Sequence, residues 1–305
     1  MQKPHSVQVS ISFSSFLVAL SSSVLVLGYA SVLDWRTRRV ANRFWIALSM
    51  VAAALLVARV LVDGEPLEYL LVLIPVLAVL ADIYGPSEGS GRVAWLLPIA
   101  SYGVAMASVV LLGCMWSDEQ YFLHLLAVPV MMLLVVLMYM LDIVRGGADA
   151  KALIALTIMF PFYPRLGSFP IIEAQTSYAE VFFPFSFVIL VHAAIIVALT
   201  PLAFAARNVV SREFRFPLAL LGYRLDAETA KSRHVWLMER IEGDRHRTYT
   251  RPRRDEDLAT EIDKLTASGR DRVWVTPKVP FIIPMAISLV FTTIVGNVLV
   301  ILMGI

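Results

Sequence analysis

Long apolar runs, separated by short charged or turn-forming stretches, dominate the chain, and their lengths decide what they are. A helix crossing a bilayer needs about 20 mostly apolar residues. Runs of that kind recur at residues 11–33, 44–62, 67–81, 93–115, 121–141, 181–206 and 279–305, and a shorter one covers 149–163. They lack the alternation of half-buried strands and the polar face of helices in water-soluble domains. Each therefore predicts a membrane span, eight in all. Pro75, Pro98, Pro129, Pro161, Pro184 and Pro284 fall within the runs, as membrane helices tolerate.

One segment breaks the pattern. Residues 207–277 carry 15 of the 26 Lys and Arg and 12 of the 24 acids. Apolar positions scattered through it, among them Phe214, Phe216, Tyr223, Val235, Trp236 and Ile241, suggest amphipathic helices or short strands rather than a linker. Residues 226–241 and 255–265 read as helical, and 243–254 as an exposed basic loop. Roughly 70 residues is near the lower limit for an independent fold. The expected organisation is a membrane domain at 1–206, a cytosolic insert at 207–277 and a C-terminal transmembrane helix at 278–305. The fold class is an all-α polytopic membrane protein.

Composition supports this and removes alternatives. Hydrophobic residues make up 58% of the chain and charged ones 16%, against about half and a quarter in soluble domains. A soluble enzyme, a disordered chain and a secreted disulfide scaffold are excluded. The net charge of +2 gives no basis for nucleic-acid binding. Cys114 is the single cysteine, which excludes an intrachain disulfide and a multi-thiolate metal site; within an apolar run it reads as a packing residue. His5, His124, His192, His234 and His246 show no paired ligand spacing, so no metal or cofactor is expected. The first run follows Lys3 and precedes a cluster of arginines, and it reads as a retained span rather than a cleaved signal.

Positive charge sets the sidedness, because loops rich in Lys and Arg stay cytoplasmic. Arg36, Arg38, Arg39 and Arg43 follow the first span, Arg145 and Lys151 the fifth, and the 15 basic residues the seventh. Opposite these lie Asp63-Gly64-Glu65, Ser117-Asp118-Glu119 and residues 165–180. The insert is thereby expected in the cytoplasm and both termini outside, in a multi-pass protein of the cell membrane. Its basic residues suit either contact with anionic lipid or solvation together with topology setting; the second is favoured.

Ionisable groups at membrane depth are costly and mark function by default. Four acids qualify: Asp34, Asp82, Asp142 and Asp149. Asp82 reads as a loop residue and Asp142 as a boundary charge. Asp142 would face Asp149 only if one helix continued through Gly146-Gly147. From Asp149 to residue 163 is about 22 Å of helix, short of a ~30 Å hydrocarbon core. Either the helix starts earlier or the bilayer is thinned there. Spans two to five separate Asp34 from Asp149, an even number, so both lie on the same side and at similar depth. Two carboxylates sharing a site cannot both ionise easily. One then activates water while the other protonates a scissile carbonyl oxygen. Glycines ahead of Asp149 allow close backbone approach by an extended substrate. Asp149 also suits a helix N-cap, and Lys151 suits pairing with Asp149 or with a lipid phosphate. His124 and His192 read as satisfied interior residues.

At these residues the sequence resembles the aspartic prepilin peptidases (the A24 family), in particular the archaeal preflagellin and prepilin peptidases. Members pair an early Asp, in D-x-R-x-R-x-I-P-N, with a second in G-x-G-D. Asp34, Arg36, Arg38, Val40 and Asn42 meet the first pattern, with Ala41 where proline is usual. Gly146 and Asp149 meet the second, with Gly147 at its open position and Ala148 in place of the second glycine. The resemblance implies catalytic roles for Asp34 and Asp149, with Gly146, Gly147, Ala148, Lys151, Arg36, Arg38 and Asn42 in support. It implies precursor substrates, archaellin- or pilin-like, bearing a short basic leader followed by a hydrophobic helix and cut at the cytoplasmic face. Two rivals remain. A protease of the presenilin and signal peptide peptidase type would use Asp142 with Asp149 and leave Asp34 unexplained. A transporter would use the acids as proton or ion ligands, although no inverted repeat is evident.

Overall fold

The computed structural model describes residues 13–85, 92–144, 146–173, 177–243, 245–250 and 257–303. Lys3, His5, Arg145, residues 86–91 of the loop after Asp82, and 251–256 of the basic stretch lie outside them.

The chain runs through α1 (Phe13–Thr37), α2 (Asn42–Asp63), a 3-10 turn (Leu67–Val72), α3 (Leu73–Tyr84), α4 (Arg92–Trp116), α5 (Gln120–Met140) and α6 (Gly147–Met159). There follow α7 (Ser177–Phe182), α8 (Phe185–Ala198), α9 (Thr200–Val210), α10 (Leu218–Leu221), β1 (Tyr223–Asp226), α11 (Ala227–Ser232), β2 (Val235–Leu237), β3 (Glu239–Glu242) and β4 (Arg245–Thr248). Last come α12 (Leu258–Ala267), β5 (Arg272–Pro277), α13 (Ile282–Val295) and α14 (Val298–Met303). Among the described residues, six helical stretches are long and apolar enough to cross a membrane, and α13 is a shorter apolar helix. This is a polytopic helical membrane protein with a small strand-bearing insert ahead of its last helices.

The chain divides into two compact units, residues 1–193 with 281–305, and residues 194–280. The first is a helical bundle built around α6. Ala152 to Met159 are all buried, although α6 has only 13 residues and so rises about 20 Å. It packs most extensively on α2, then on α5, with α1 and α13 also against it. The helix starts at Gly147, two residues ahead of Asp149, and ends at Met159, short of the expected 163.

Two predicted spans are interrupted. Pro184 lies between α7 and α8; its carbonyl accepts from the N–H groups of Phe187 and Val188, so it opens the second helix, where its missing N–H costs nothing. The Tyr163 hydroxyl donates to the Phe183 carbonyl at this break. In the last predicted span, Gly296 at φ 95° ends α13, and an added Cβ would strike the backbone of Ile172. Residues 171 and 172 donate to the carbonyls of Ile294 and Val295 at 3.0 and 2.8 Å.

The second unit departs further from expectation. Residues 226–241 are not one helix: α11 covers six residues, and the chain then extends into β2 and β3. β5 is the centre of an antiparallel sheet in the order β1-β5-β2, with Tyr223 and Leu237 both opposite Val275. The stretch read as a basic loop contributes β4, paired with β3 through Arg240–Arg247 and Ile241–His246. α12 matches the second predicted helix within a few residues. Ala230, Ile262, Leu265, Val273 and Val275 form the core. Glu239, 3% exposed, accepts from the Trp274 N–H at 2.8 Å through Oε1. Its Oε2 lies 2.8 Å from His246 Nε2.

Candidate active site

Asp34 occupies the last turn of α1 and is partly buried. Two contacts end the helix there: Arg38 N–H donates to the Asp34 carbonyl at 3.1 Å, and the Thr37 hydroxyl to Leu33 at 2.9 Å. Arg38 takes the left-handed φ of 57°, which is uncommon for a residue with a Cβ. That turn sets the guanidinium where its charge acts on both Asp34 and Asp149. Burial pulls the Arg38 pKa below its usual value, against the two carboxylates, which hold it up. α1 also packs on α6, which puts Asp34 and Asp149 on neighbouring helices.

The chain then enters α2 through Ala41, at φ −69° and ψ 140°. Proline favours that geometry, so alanine fills the position without a change of path. Asn42 begins α2, and its Oδ1 accepts from Lys151 Nζ at 2.8 Å. Lys151 also stands over the Tyr84 ring, 5.5 Å from its centroid. Lys151 thus makes a direct bond to Asn42 of the first motif, a partner that the expected pairings with Asp149 or a lipid phosphate did not include.

Asp149 is the third residue of α6, and Gly146, not Asp149, holds the N-cap position. The Asp149 side chain folds back over the helix start, so that a Cβ on Gly146 would lie 2.7 Å from its Cγ and closer still to Oδ2. The first glycine of the motif makes room for the carboxylate itself rather than for a partner strand. A Cβ on Gly147 would meet only the Tyr139 hydroxyl, at 3.6 Å. Ala148 is partly buried against the core and helical, where alanine is favoured over glycine. Arg36 is exposed.

Other candidates separate from this pair. α5 stops at Met140, and Asp142, at φ 60°, sits exposed on the terminating turn, in which Ile143 and Val144 donate back to Met138. One helix does not continue from Asp142 to Asp149. Asp82 lies within the last turns of α3 rather than in a loop, and accepts from the Tyr102 hydroxyl at 3.2 Å. Cys114 is exposed on α4, so the packing reading is corrected. His124 is buried, with Nδ1 2.9 Å from the Gln120 carbonyl and Nε2 3.6 Å from Glu180. His192 meets the Thr292 hydroxyl at 2.8 Å.

Sequence reasoning missed Tyr84, whose ring lies under Lys151, and Tyr139, whose hydroxyl lies beside Gly147; an aromatic residue inside an apolar run carries no local signal. Arg59 was also passed over, although a lone cation within an apolar run is a signal. It is 7% exposed, with its guanidinium over Phe162. Seventeen residues beyond Asn42 on one helix put it about 25 Å from the acids' end, so it belongs to a separate cluster with Asp63 and Tyr121.

Residues 214–298 match the sequence family described as Archaeal Peptidase A24 C-terminus Type II. No curated protein matched the chain.

Proposed function

We propose, from the premise that this chain is an archaeal A24-family peptidase, that it is a membrane aspartic endopeptidase. It removes the N-terminal leader of archaellin- or pilin-like precursors at the cytoplasmic face. The reading is carried by placement: Asp34 in the last turn of α1 and Asp149 in the first turn of α6 stand where the Lys151–Asn42 bond joins α6 to the start of α2, with Arg38 within range of both charges. Two carboxylates within range of each other's charge do not both ionise easily, so one of the pair holds the proton.

The chemistry follows from that shared proton. The ionised carboxylate takes a proton from a water molecule, whose oxygen attacks the scissile carbonyl carbon. The protonated carboxyl donates to the carbonyl oxygen, giving a neutral tetrahedral intermediate. The carboxyl that took the water's proton then gives it to the leaving nitrogen while the now-ionised carboxylate takes a hydroxyl proton from the intermediate. The C–N bond breaks, leader and mature protein are released, and the pair returns to its starting state. Arg38 keeps net charge at the site down while one carboxylate is ionised, and the Lys151–Asn42 bond ties α6 to α2 beside it.

The test is cleavage of a leader-bearing precursor by full-length protein in vesicles. Asp34→Asn and Asp149→Asn should each abolish cleavage, and the double variant should be no worse than either, because each acid is useless alone. Asp142→Asn should retain activity. Wild-type cleavage by Asp34→Asn protein, or loss in Asp142→Asn, would overturn the assignment.

A further inference from the structure

Where the apolar stretch 185–210 ends, the chain displays apolar side chains outward from a loop fixed from behind. Asn208 is 1% exposed, and its Nδ2 donates to the carbonyls of Ala219 and Gly222 at 2.9 and 2.8 Å. Glu213 donates its N–H to the Asn208 carbonyl at 2.9 Å, while its carboxylate faces Arg224 and Arg272. Leu218 and Ala219 are buried just beyond. Residues 209–216 are therefore no slack linker.

Their outer face is apolar and cationic together. Val210 is 84% exposed and Phe216 73%, with Val209 and Phe214 above half. Arg212 and Arg215 alternate with the phenylalanines and are exposed, with no ion-pair partner among the described residues. The one acid between Arg207 and Arg224 is Glu213, and it is turned to the inner arginines. Aromatic side chains beside unpaired arginines suit the headgroup region of a bilayer, where rings enter the acyl boundary and cations meet phosphates. Val209 and Val210 are also the last residues of a stretch apolar enough to span, and residues 211–216 follow it directly.

We propose that residues 209–216 form a docking surface for an anionic phospholipid bilayer. Phe214 and Phe216 enter the interface, and Arg212 and Arg215 take lipid phosphates. The surface is preformed by the Asn208 and Glu213 contacts, so little ordering accompanies docking.

The experiment uses full-length protein reconstituted in vesicles, in a Cys114→Ser background. A nitroxide is attached through Phe216→Cys, and in a second sample through Glu228→Cys, an exposed position of the same unit. In vesicles rich in phosphatidylglycerol, the label at 216 should be more accessible to oxygen than to a water-soluble nickel chelate, and the label at 228 the reverse. Arg212→Gln with Arg215→Gln should weaken that protection, by about fivefold in the docking equilibrium per arginine. The same change should have no effect in phosphatidylcholine vesicles. Equal access of the nickel chelate to both labels would overturn the proposal. So would protection indifferent to lipid charge and to the arginines, or dipolar broadening that shows a second copy covering the site.

Discussion

Gly146→Ala should disable the site while leaving the fold intact. The backbone there, at φ −90° and ψ 119°, is open to any residue, so no strain arises from the chain. The conflict is with one side chain. The new Cβ would sit 2.7 Å from Asp149 Cγ, under the 3.0 Å that real Cβ contacts respect. Carbon atoms settle at about 3.5–4.0 Å, so the carboxylate must retreat by about 1 Å. It is the end of a rotatable side chain and can do so without moving α6. Alanine is a poorer N-cap than glycine, but that difference stays within about 1 kcal/mol, and the protein should remain folded. A catalytic group displaced by about 1 Å, however, loses on the order of 10²-fold in rate. The control is Gly147→Ala, whose Cβ meets only an ordinary contact at 3.6 Å; its rate should stay within about twofold of wild type. The assay is kcat/KM for precursor cleavage, paired with a thermal unfolding curve for each variant. Full activity in Gly146→Ala, or an equal loss in Gly147→Ala, would refute the argument that this glycine exists to seat Asp149.

Three further outcomes are expected. In a double-mutant cycle of Asn42→Ala and Lys151→Met, each change should cost up to about fivefold in cleavage and the pair no more than the worse single one; strict additivity would mean the bond does not act as a unit. Burial alone would raise the Glu180 pKa, but His124 and Arg165 outweigh it and hold it below the usual 4.5. Its contribution to stability is therefore present above the unfolded value and lost as pH falls through the folded one, so unfolding midpoints taken from about pH 6 to 3 should drop less in Glu180→Gln than in wild type. Identical acid limbs would count against this. His246→Ala leaves one oxygen of buried Glu239 unpartnered and should destabilise the 194–280 unit by about 1–3 kcal/mol, read as faster proteolysis in the full chain, whereas Arg245→Ala on the exposed side of the same strand should not.

The membrane helices were legible because each is a statement about solvent. Residues 44–62 and 121–141 reappear as Asn42–Asp63 and Gln120–Met140, bounded by charges that cannot stay in lipid. The breaks at Pro184 and Gly296 were not, since proline and glycine inside an apolar run are compatible with an unbroken helix until a neighbour such as Tyr163 or Ile172 claims the freed backbone. In the insert, Ala227 to Ser232 follows its local helical preference, but Val235 to Leu237 is a strand because β5, some forty residues on, offers it an edge. No local window contains that fact. At the acids, parity of spans was enough to expect Asp34 and Asp149 on one side. The bond between Lys151 and Asn42 and the reason for Gly146 depend on how α6 lies against α2, which spacing alone does not express.

The enclosure of α6 changes what the lipid can do to it. A helix of this length facing acyl chains would suffer hydrophobic mismatch, and would tilt or pinch the bilayer around it. Because Ala152 to Met159 are surrounded by protein, that length of α6 is solvated by other helices and meets no lipid. The depth of Asp149 is then set by the neighbouring helices and not by membrane thickness. The helix is also released from the requirement to be uniformly greasy, which lets Asp149, Lys151 and Thr157 sit on a buried element. An acid carried in this way keeps its register with Asp34 in thick and thin membranes alike.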